Sequence, residues 1–149
     1  MNALKKYGLL LHFLLGILIC TPASSQNIKI VGHQEGPPDQ MDAGELRSVF
    51  MAQQQWWSGD TKISIVLLKS SVPISEVVAD KVFDMSPNDV KTYWIQIVFR
   101  GKAKTPKHFD SEDALIAYVA RTPGAIGVVS AEADTESLKV IEIDGNAVW

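Results

Sequence analysis

The sequence has one cysteine, Cys20, and residues 26–149 contain none. Disulfide bonds, thiolate metal ligands and a cysteine nucleophile are therefore excluded from that part of the chain. Histidine is scarce as well: His33 and His108 are the histidines of this region, and His33 has no second ligand at metal-binding spacing. A serine-nucleophile motif is also missing, so we expect no metal, no cofactor and no enzymatic activity.

Positive charge is scarce outside the N-terminal region. The whole chain has 14 lysines and arginines against 17 aspartates and glutamates. Lys5 and Lys6 account for two of these cations, so residues 26–149 carry 12 cations, 17 acids and a net charge of −5. Domains that bind nucleic acids are usually basic. A nucleic-acid partner is therefore not expected.

The chain also lacks a hydrophobic run long enough to cross a membrane. The apolar stretch 7–20 is shorter than the roughly 20 residues a spanning helix needs. It follows two lysines and precedes a small-residue segment ending at Ser25, which is the layout of a signal peptide. We expect residues 1–25 to be removed and the protein to be periplasmic or secreted, without a membrane span. A lipoprotein signal ending at Cys20 is the alternative, but Ile19 stands where such a signal has a small residue.

Residues 26–149 are enough for one domain with a core. Their periodicity predicts an α/β fold in the order β-α-β-α-α-α-β-β. The predicted strands are 27–31, 63–68, the segment 122–130 with its Pro-Gly turn, and 138–143. The predicted helices begin near Asp42, Pro73, Ser86 and Asp110 or Ser111, and the first ends at about Gln53.

The segment Thr122–Ser130 is predicted to form the central strand of the sheet. Pro123 cannot continue the preceding helix, and Gly124 suits the positive φ that a helix exit often needs. Gly127, inside the apolar run, indicates a bulge or a close backbone approach.

A candidate anion site follows the strand 63–68. Lys69, Ser70 and Ser71 precede a helix that starts at Pro73, and Ser71 or a neighbour is expected to cap it. In an open α/β sheet, small anions bind at helix starts that follow the carboxyl ends of strands. An ordinary helix cap without a ligand is the alternative.

Two further features suggest a surface for a partner or an anion. Trp56 and Trp57 stand together before the strand 63–68, where they either stack on a ligand or close the edge of the core. A cationic segment without an acid follows the third predicted helix and could attract an anionic ligand or partner. The alternative is that these cations are simply a solvated surface. The cations are Arg100, Lys102, Lys104 and Lys107.

Several stretches, in order, resemble the phosphate-binding proteins of ABC importers. They are Gly44–Phe50, Trp57–Asp60, Ile63–Leu68, Tyr93–Trp94 with Phe99–Lys102, and Ala117–Val129. The Pro-Gly-Ala-Ile-Gly run within the last stretch is the most specific. The resemblance covers about residues 28–145 and implies a three-layer single lobe of the type II periplasmic binding fold, with a mixed, mostly parallel sheet flanked by helices.

The resemblance also implies a function, but this sequence departs from the family at the two phosphate-binding motifs. Full-length members hold phosphate between two lobes through a Gly- and Ser-rich loop and an Arg followed by Ser-Gly-Thr. Here Gly32–Glu35 and Lys69–Ser71 stand at those places, so tight phosphate binding is not implied. We expect a solute-binding-like protein that holds a small anion such as phosphate weakly or through a dimer. The alternative is an interaction or sensory module that contacts an ABC permease or an envelope sensor protein.

Overall fold

The computed structural model describes residues 26–149, so the predicted signal peptide lies outside the described residues. The strands are β1 (Ile28–Gly32), β2 (Gln40–Met41), β3 (Ser64–Leu68), β4 (Lys107–Phe109), β5 (Ala125–Ser130) and β6 (Lys139–Ile143). The helices are α1 (Ala43–Phe50), α2 (Ile74–Val78), α3 (Pro87–Phe99) and α4 (Glu112–Arg121), and α2 continues into a π-helical segment, Ala79–Phe83. No helix among residues 26–149 is long and apolar enough to cross a membrane.

All six strands form one mixed sheet in the order β2-β6-β1-β5-β3-β4. Three of its five pairings are parallel, namely β2 with β6, β5 with β3, and β3 with β4. The two pairings of β1 are antiparallel. The predicted α/β class and the mixed, mostly parallel sheet are therefore confirmed, and β5 lies inside the sheet between β1 and β3.

Helices cover both faces of the sheet. A Cβ atom added to Gly127 would lie 2.9 Å from Leu115 Cδ2 of α4, so α4 packs directly against the sheet at Gly127. The next residue, Val128, points to the opposite face because side chains alternate along a strand, and there it lines a cleft with residues of α2 and α3. The sequence predicted a bulge or a close backbone approach at Gly127, whereas the close neighbour in the structure is the side chain of Leu115.

Local sequence signals account for most helix boundaries. Asp42 and Glu45 form a capping box at α1, and the hydroxyl groups of Ser86 and Ser111 cap α3 and α4. Gly101, with φ of +66°, follows the end of α3. Each of these residues acts within one helical turn, which is why the sequence alone predicted them.

Three details differ from the prediction. Helix α1 ends at Phe50 instead of Gln53, because the chain turns away at Ala52, which has φ of +54°. The short strands β2 and β4 lie in segments for which no strand was predicted. Their two and three residues are too short to show an alternating pattern, and they are strands because they pair with β6 and β3.

The turn that leads into β5 is as predicted. Gly124 has φ of +78°, a conformation that side chains with a Cβ rarely adopt. A Cβ at this position would also collide with the backbone oxygen of Lys62. The Gly124 N–H donates to Glu35 O, and its carbonyl accepts from Ser64 N. The turn therefore joins the loop after β1 to the start of β3.

Candidate functional site

Lys69, Ser70 and Ser71 lie directly after β3, at the carboxyl edge that β3 shares with β4 and β5. The three residues line the rim of a cleft between α3 and the sheet. The three residues thus lie at the carboxyl end of a buried strand, and their role in binding a ligand stays a prediction.

The start of α2 differs from the expected helix cap. Its N-cap position is Pro73, in a helical conformation, and no side chain among residues 26–149 caps it, so the prediction that Ser71 caps the helix is wrong. The chain enters through tight turns, in which Ser75 N donates to Val72 O and Glu76 N donates to Pro73 O. Two N–H groups that an anion would have used are therefore already bonded within the chain.

Lys69 is paired with an acid of the chain itself. Its Nζ lies 2.7 Å from Asp110 Oδ1. Parallel pairing of β3 and β4 causes this contact, since Lys69 N also donates to Phe109 O at 2.9 Å. The side chains of Lys69 and Asp110 are 50% and 77% exposed, so the pair is worth about 1 kcal/mol or less. An external anion at Lys69 would therefore have to compete with Asp110.

A second carboxylate occupies the donors at the end of β5. Glu112, in the first turn of α4, accepts from Ser130 N at 2.6 Å and from Ser130 Oγ at 2.9 Å. Charge-assisted bonds of this kind are stronger than neutral ones. Three donor groups at the carboxyl edge are therefore satisfied by acids of the chain: Lys69 Nζ by Asp110, and Ser130 N and Oγ by Glu112.

The cleft beside this edge has a volume of about 770 Å³. Its floor is formed by β3 and β5, and its walls by α2, the π-helical segment and α3. Most of the lining is apolar. The apolar lining residues are Val66, Leu67, Leu68, Val78, Ala79, Phe83, Pro87, Val90, Trp94, Ile95, Val98, Phe99 and Val128.

Helix α3 carries apolar side chains on more than one face. Trp94 is buried, whereas Ile95 is 60% exposed and Phe99 is 90% exposed. The periodicity of this segment predicts one inward face, formed by Val90, Trp94, Ile97 and Val98. That face does not include Ile95 or Phe99. The signal was present, because Ile95, Ile97, Val98 and Phe99 together cover more of the circumference than one buried stripe needs.

The two tryptophans have separate positions. Trp57 is 5% exposed, and its Nε1 donates to Gly124 O at 2.9 Å, so it closes the core. Trp56 is 54% exposed and has the Lys62 ammonium 5.7 Å from its ring centroid. Trp56 thus remains accessible for contacts with a partner, and Trp57 does not.

The cationic segment lies beside the loop of Trp56. Gln55 Nε2 donates to Lys102 O at 2.9 Å, which joins the two loops. All four cations are exposed. Arg100 and Lys102 follow α3, Lys104 precedes β4, and Lys107 lies in β4, a strand at the edge of the sheet where lysine is common. These four residues do not line the cleft.

Among residues 26–149, no group of three or more histidine, cysteine or acidic side chains is arranged to hold a metal ion. His33 accepts a hydrogen bond from Glu35 N at 2.9 Å through Nδ1, inside its own loop. His108 Nδ1 lies 3.1 Å from Pro106 O. Each ring therefore makes a contact within its own turn.

The fold is similar to that of phosphate transport receptors. It matches an ABC-type phosphate transport receptor from Vibrio cholerae with a TM-score of 0.61 and 18% identity, covering 82% of this chain and 49% of that one. A putative phosphate ABC transporter substrate-binding protein from Clostridium perfringens, with bound phosphate, matches with a TM-score of 0.61, 14% identity, and 82% and 47% coverage. PstS from Borrelia burgdorferi matches with a TM-score of 0.61, 14% identity, and 81% and 48% coverage.

These similarities confirm at the level of the fold the resemblance seen in the sequence. The chain spans about half the length of the solved structures that it matches. No family model matches the chain, and no curated protein is significantly similar in sequence.

Proposed function

We propose that the protein is an exported, non-catalytic binding protein in which residues 26–149 form the binding domain. The observation that carries this proposal is the position of Lys69, Ser70 and Ser71 on the rim of the cleft at the carboxyl edge of β3. The similarity to receptors whose names describe phosphate transport supports a binding role. The proposal places the protein in the periplasm or outside the cell.

The proposed ligand is a small anion such as phosphate, held weakly. Lys69 must exchange Asp110 for the ligand. The free energy gained on binding is therefore only the difference between the energies of two exposed ion pairs, each worth about 1 kcal/mol or less. One face of the site also stays open to water, which screens the charges. We therefore expect millimolar dissociation constants. Two copies facing one another would bind more tightly, because they would enclose the anion from both sides.

Isothermal titration of the purified protein with phosphate and sulfate tests this function. The Lys69→Ala/Ser71→Ala double variant should lose phosphate binding while keeping its circular dichroism spectrum. Lys29→Ala is a matched control, because the Lys29 ammonium bonds Ala133 O and lies outside the cleft lining. Submicromolar phosphate binding by a monomer, or binding that survives the double substitution, would contradict the proposal.

A specific contact favours a second candidate, a module that binds a partner protein. The bond from Gln55 to Lys102 joins the loop that carries the exposed Trp56 to the cationic segment. Aromatic rings next to cations suit an acidic protein surface. In this proposal the partner is an ABC permease or an envelope sensor protein.

Co-purification from envelope extracts with the wild-type protein and with Trp56→Ala/Lys102→Glu tests the second candidate. A partner that the wild type retains at low salt and that the double variant loses supports it. Equal recovery by both proteins would contradict it. Phosphate titration of the same variant separates the two candidates, because neither residue lines the cleft.

A further inference from the structure

The cleft between α3 and the sheet has the size and character of a small-molecule site. Its volume of about 770 Å³ is within the range of ligand pockets, roughly 300–1,000 Å³, which are mostly apolar with a few polar groups. An inorganic phosphate ion has no apolar part, so it would leave the apolar walls of this cleft in contact with water. The walls therefore favour a ligand with an apolar body.

The charged side chains that line the cleft are cationic. None of the residues of the described chain that line it is an aspartate or a glutamate, whereas Lys69 and Lys91 both line it. This is unusual for residues 26–149, where 17 of 124 residues, roughly one in seven, are acidic. Lys69 is partly neutralised by Asp110, but the exposed Lys91 forms no ion pair with another described residue. The lining therefore favours an anionic head group.

A buried polar group of the cleft is also unsatisfied. Trp94 lines the cleft and is 6% exposed, and its Nε1 has no hydrogen-bond partner among residues 26–149. Buried donors are nearly always bonded in folded proteins, so an orphaned one calls for an explanation. Nε1 is itself buried, so a ligand acceptor could bond this N–H only after the indole ring turned toward the cleft.

We propose that this cleft binds a single-chain amphiphilic anion, with its apolar chain against α3 and β3 and its phosphate or carboxylate head at Lys91 and Lys69. This inference rests on the proposed function, since Lys69 and the two serines belong to the same cleft, and it names the ligand class. The exposed side chains of Ile95 and Phe99 form the lip over which the chain of the ligand passes.

The test compares three probes by isothermal titration of the purified protein: inorganic phosphate, n-octanol, and n-octyl phosphate below its micellar concentration. We expect n-octyl phosphate to bind at least about tenfold more tightly than inorganic phosphate, because each buried methylene group adds to the affinity. The Lys91→Glu substitution should weaken the binding of n-octyl phosphate at least about fivefold and leave the affinity for n-octanol unchanged. Lys81→Glu is the matched control, because Lys81 lies in the π-helical segment outside the cleft lining.

The outcomes separate the inference from the proposed function. If n-octyl phosphate binds no more tightly than inorganic phosphate, the inference is overturned. The proposed function still holds in that case if phosphate binds and the binding depends on Lys69. If none of the probes binds, both are overturned. A protein that sediments as a dimer, and as a monomer after Phe99→Ser, would show that the lip binds a second copy and would also overturn the inference.

Discussion

The indole N–H of Trp57 donates a hydrogen bond to the carbonyl oxygen of Gly124 at 2.9 Å, between residues 67 positions apart. The same oxygen accepts from Ser64 N at 3.1 Å, at the start of β3. One carbonyl therefore links the loop before β3 to the turn before β5. The side chain is buried and the glycine has a positive φ, so both residues are constrained.

We expect Trp57→Phe to destabilise the protein by about 1 kcal/mol through the lost hydrogen bond, and by more if the smaller ring leaves a cavity. Urea denaturation measures the change. Trp56→Phe is the matched control and should stay within about 0.5 kcal/mol of wild type, because Trp56 is 54% exposed. Equal effects of the two substitutions would contradict a structural role for the Trp57 bond.

We expect Gly124→Val to cost about 2 kcal/mol or more, because a β-branched side chain is strained at positive φ and would meet the Lys62 carbonyl. Gly145→Val separates the two causes. Gly145 has a similar φ of +80°, but nothing lies within 4 Å of an added Cβ. The urea midpoint of the Gly145→Val variant should therefore fall less than that of the Gly124→Val variant. An unchanged midpoint for Gly124→Val would contradict the prediction.

We expect Asp110→Asn to strengthen phosphate binding about twofold to fivefold. The substitution removes the carboxylate that pairs with Lys69 at 2.7 Å, and an exposed pair of this kind contributes at most about 1 kcal/mol. Titration at low salt gives the change in affinity, and Asp113→Asn on α4 is a control of equal charge. Weaker binding by Asp110→Asn would mean that Asp110 does not compete with the ligand.

We expect Tyr93 to make stability fall at alkaline pH. Its hydroxyl donates to Met51 O at 2.7 Å, which joins α3 to the end of α1, and burial raises the pKa of Tyr93 above its usual value of 10.0. The folded state therefore keeps the proton longer than the unfolded state does. This contribution is complete below about pH 10 and is lost as the pH rises through the folded pKa.

Urea midpoints of wild type and Tyr93→Phe between pH 8 and pH 11, roughly the range around the tyrosine pKa, test this. The variant should be less stable than wild type at the lower pH, and the difference should shrink as the pH rises. A constant difference across this range would contradict the assignment. Tyr118→Phe provides the comparison with another tyrosine.

We expect the exported protein to begin at Gln26. The charged, apolar and small-residue regions of 1–25 follow one another in the order that a signal peptide requires. Intact mass spectrometry of the protein from the periplasmic fraction gives the N-terminus. A product that keeps Met1 and stays in the cytoplasm would contradict both the export and the proposed localisation.

Much of the fold could be predicted from the sequence because its signals are local. The capping box of Asp42 and Glu45 acts within one turn, and Gly124 follows a helix that Pro123 cannot continue. The aliphatic run before Lys69 predicts a buried strand whatever its neighbours are. The sequence by itself thus determined the α/β class and the main helices and strands.

The contacts of the candidate site were decided by the tertiary structure. Lys69 and Asp110 are far apart in the chain, and they meet because β3 and β4 pair in parallel, although β4 is too short to be recognised from its residues. The cleft likewise exists because α3 leaves a gap over the sheet, which depends on how a whole helix packs. Residue patterns indicate which apolar side chains are buried. Contacts between distant residues, and the cavities between elements, depend instead on long-range packing that no local pattern encodes.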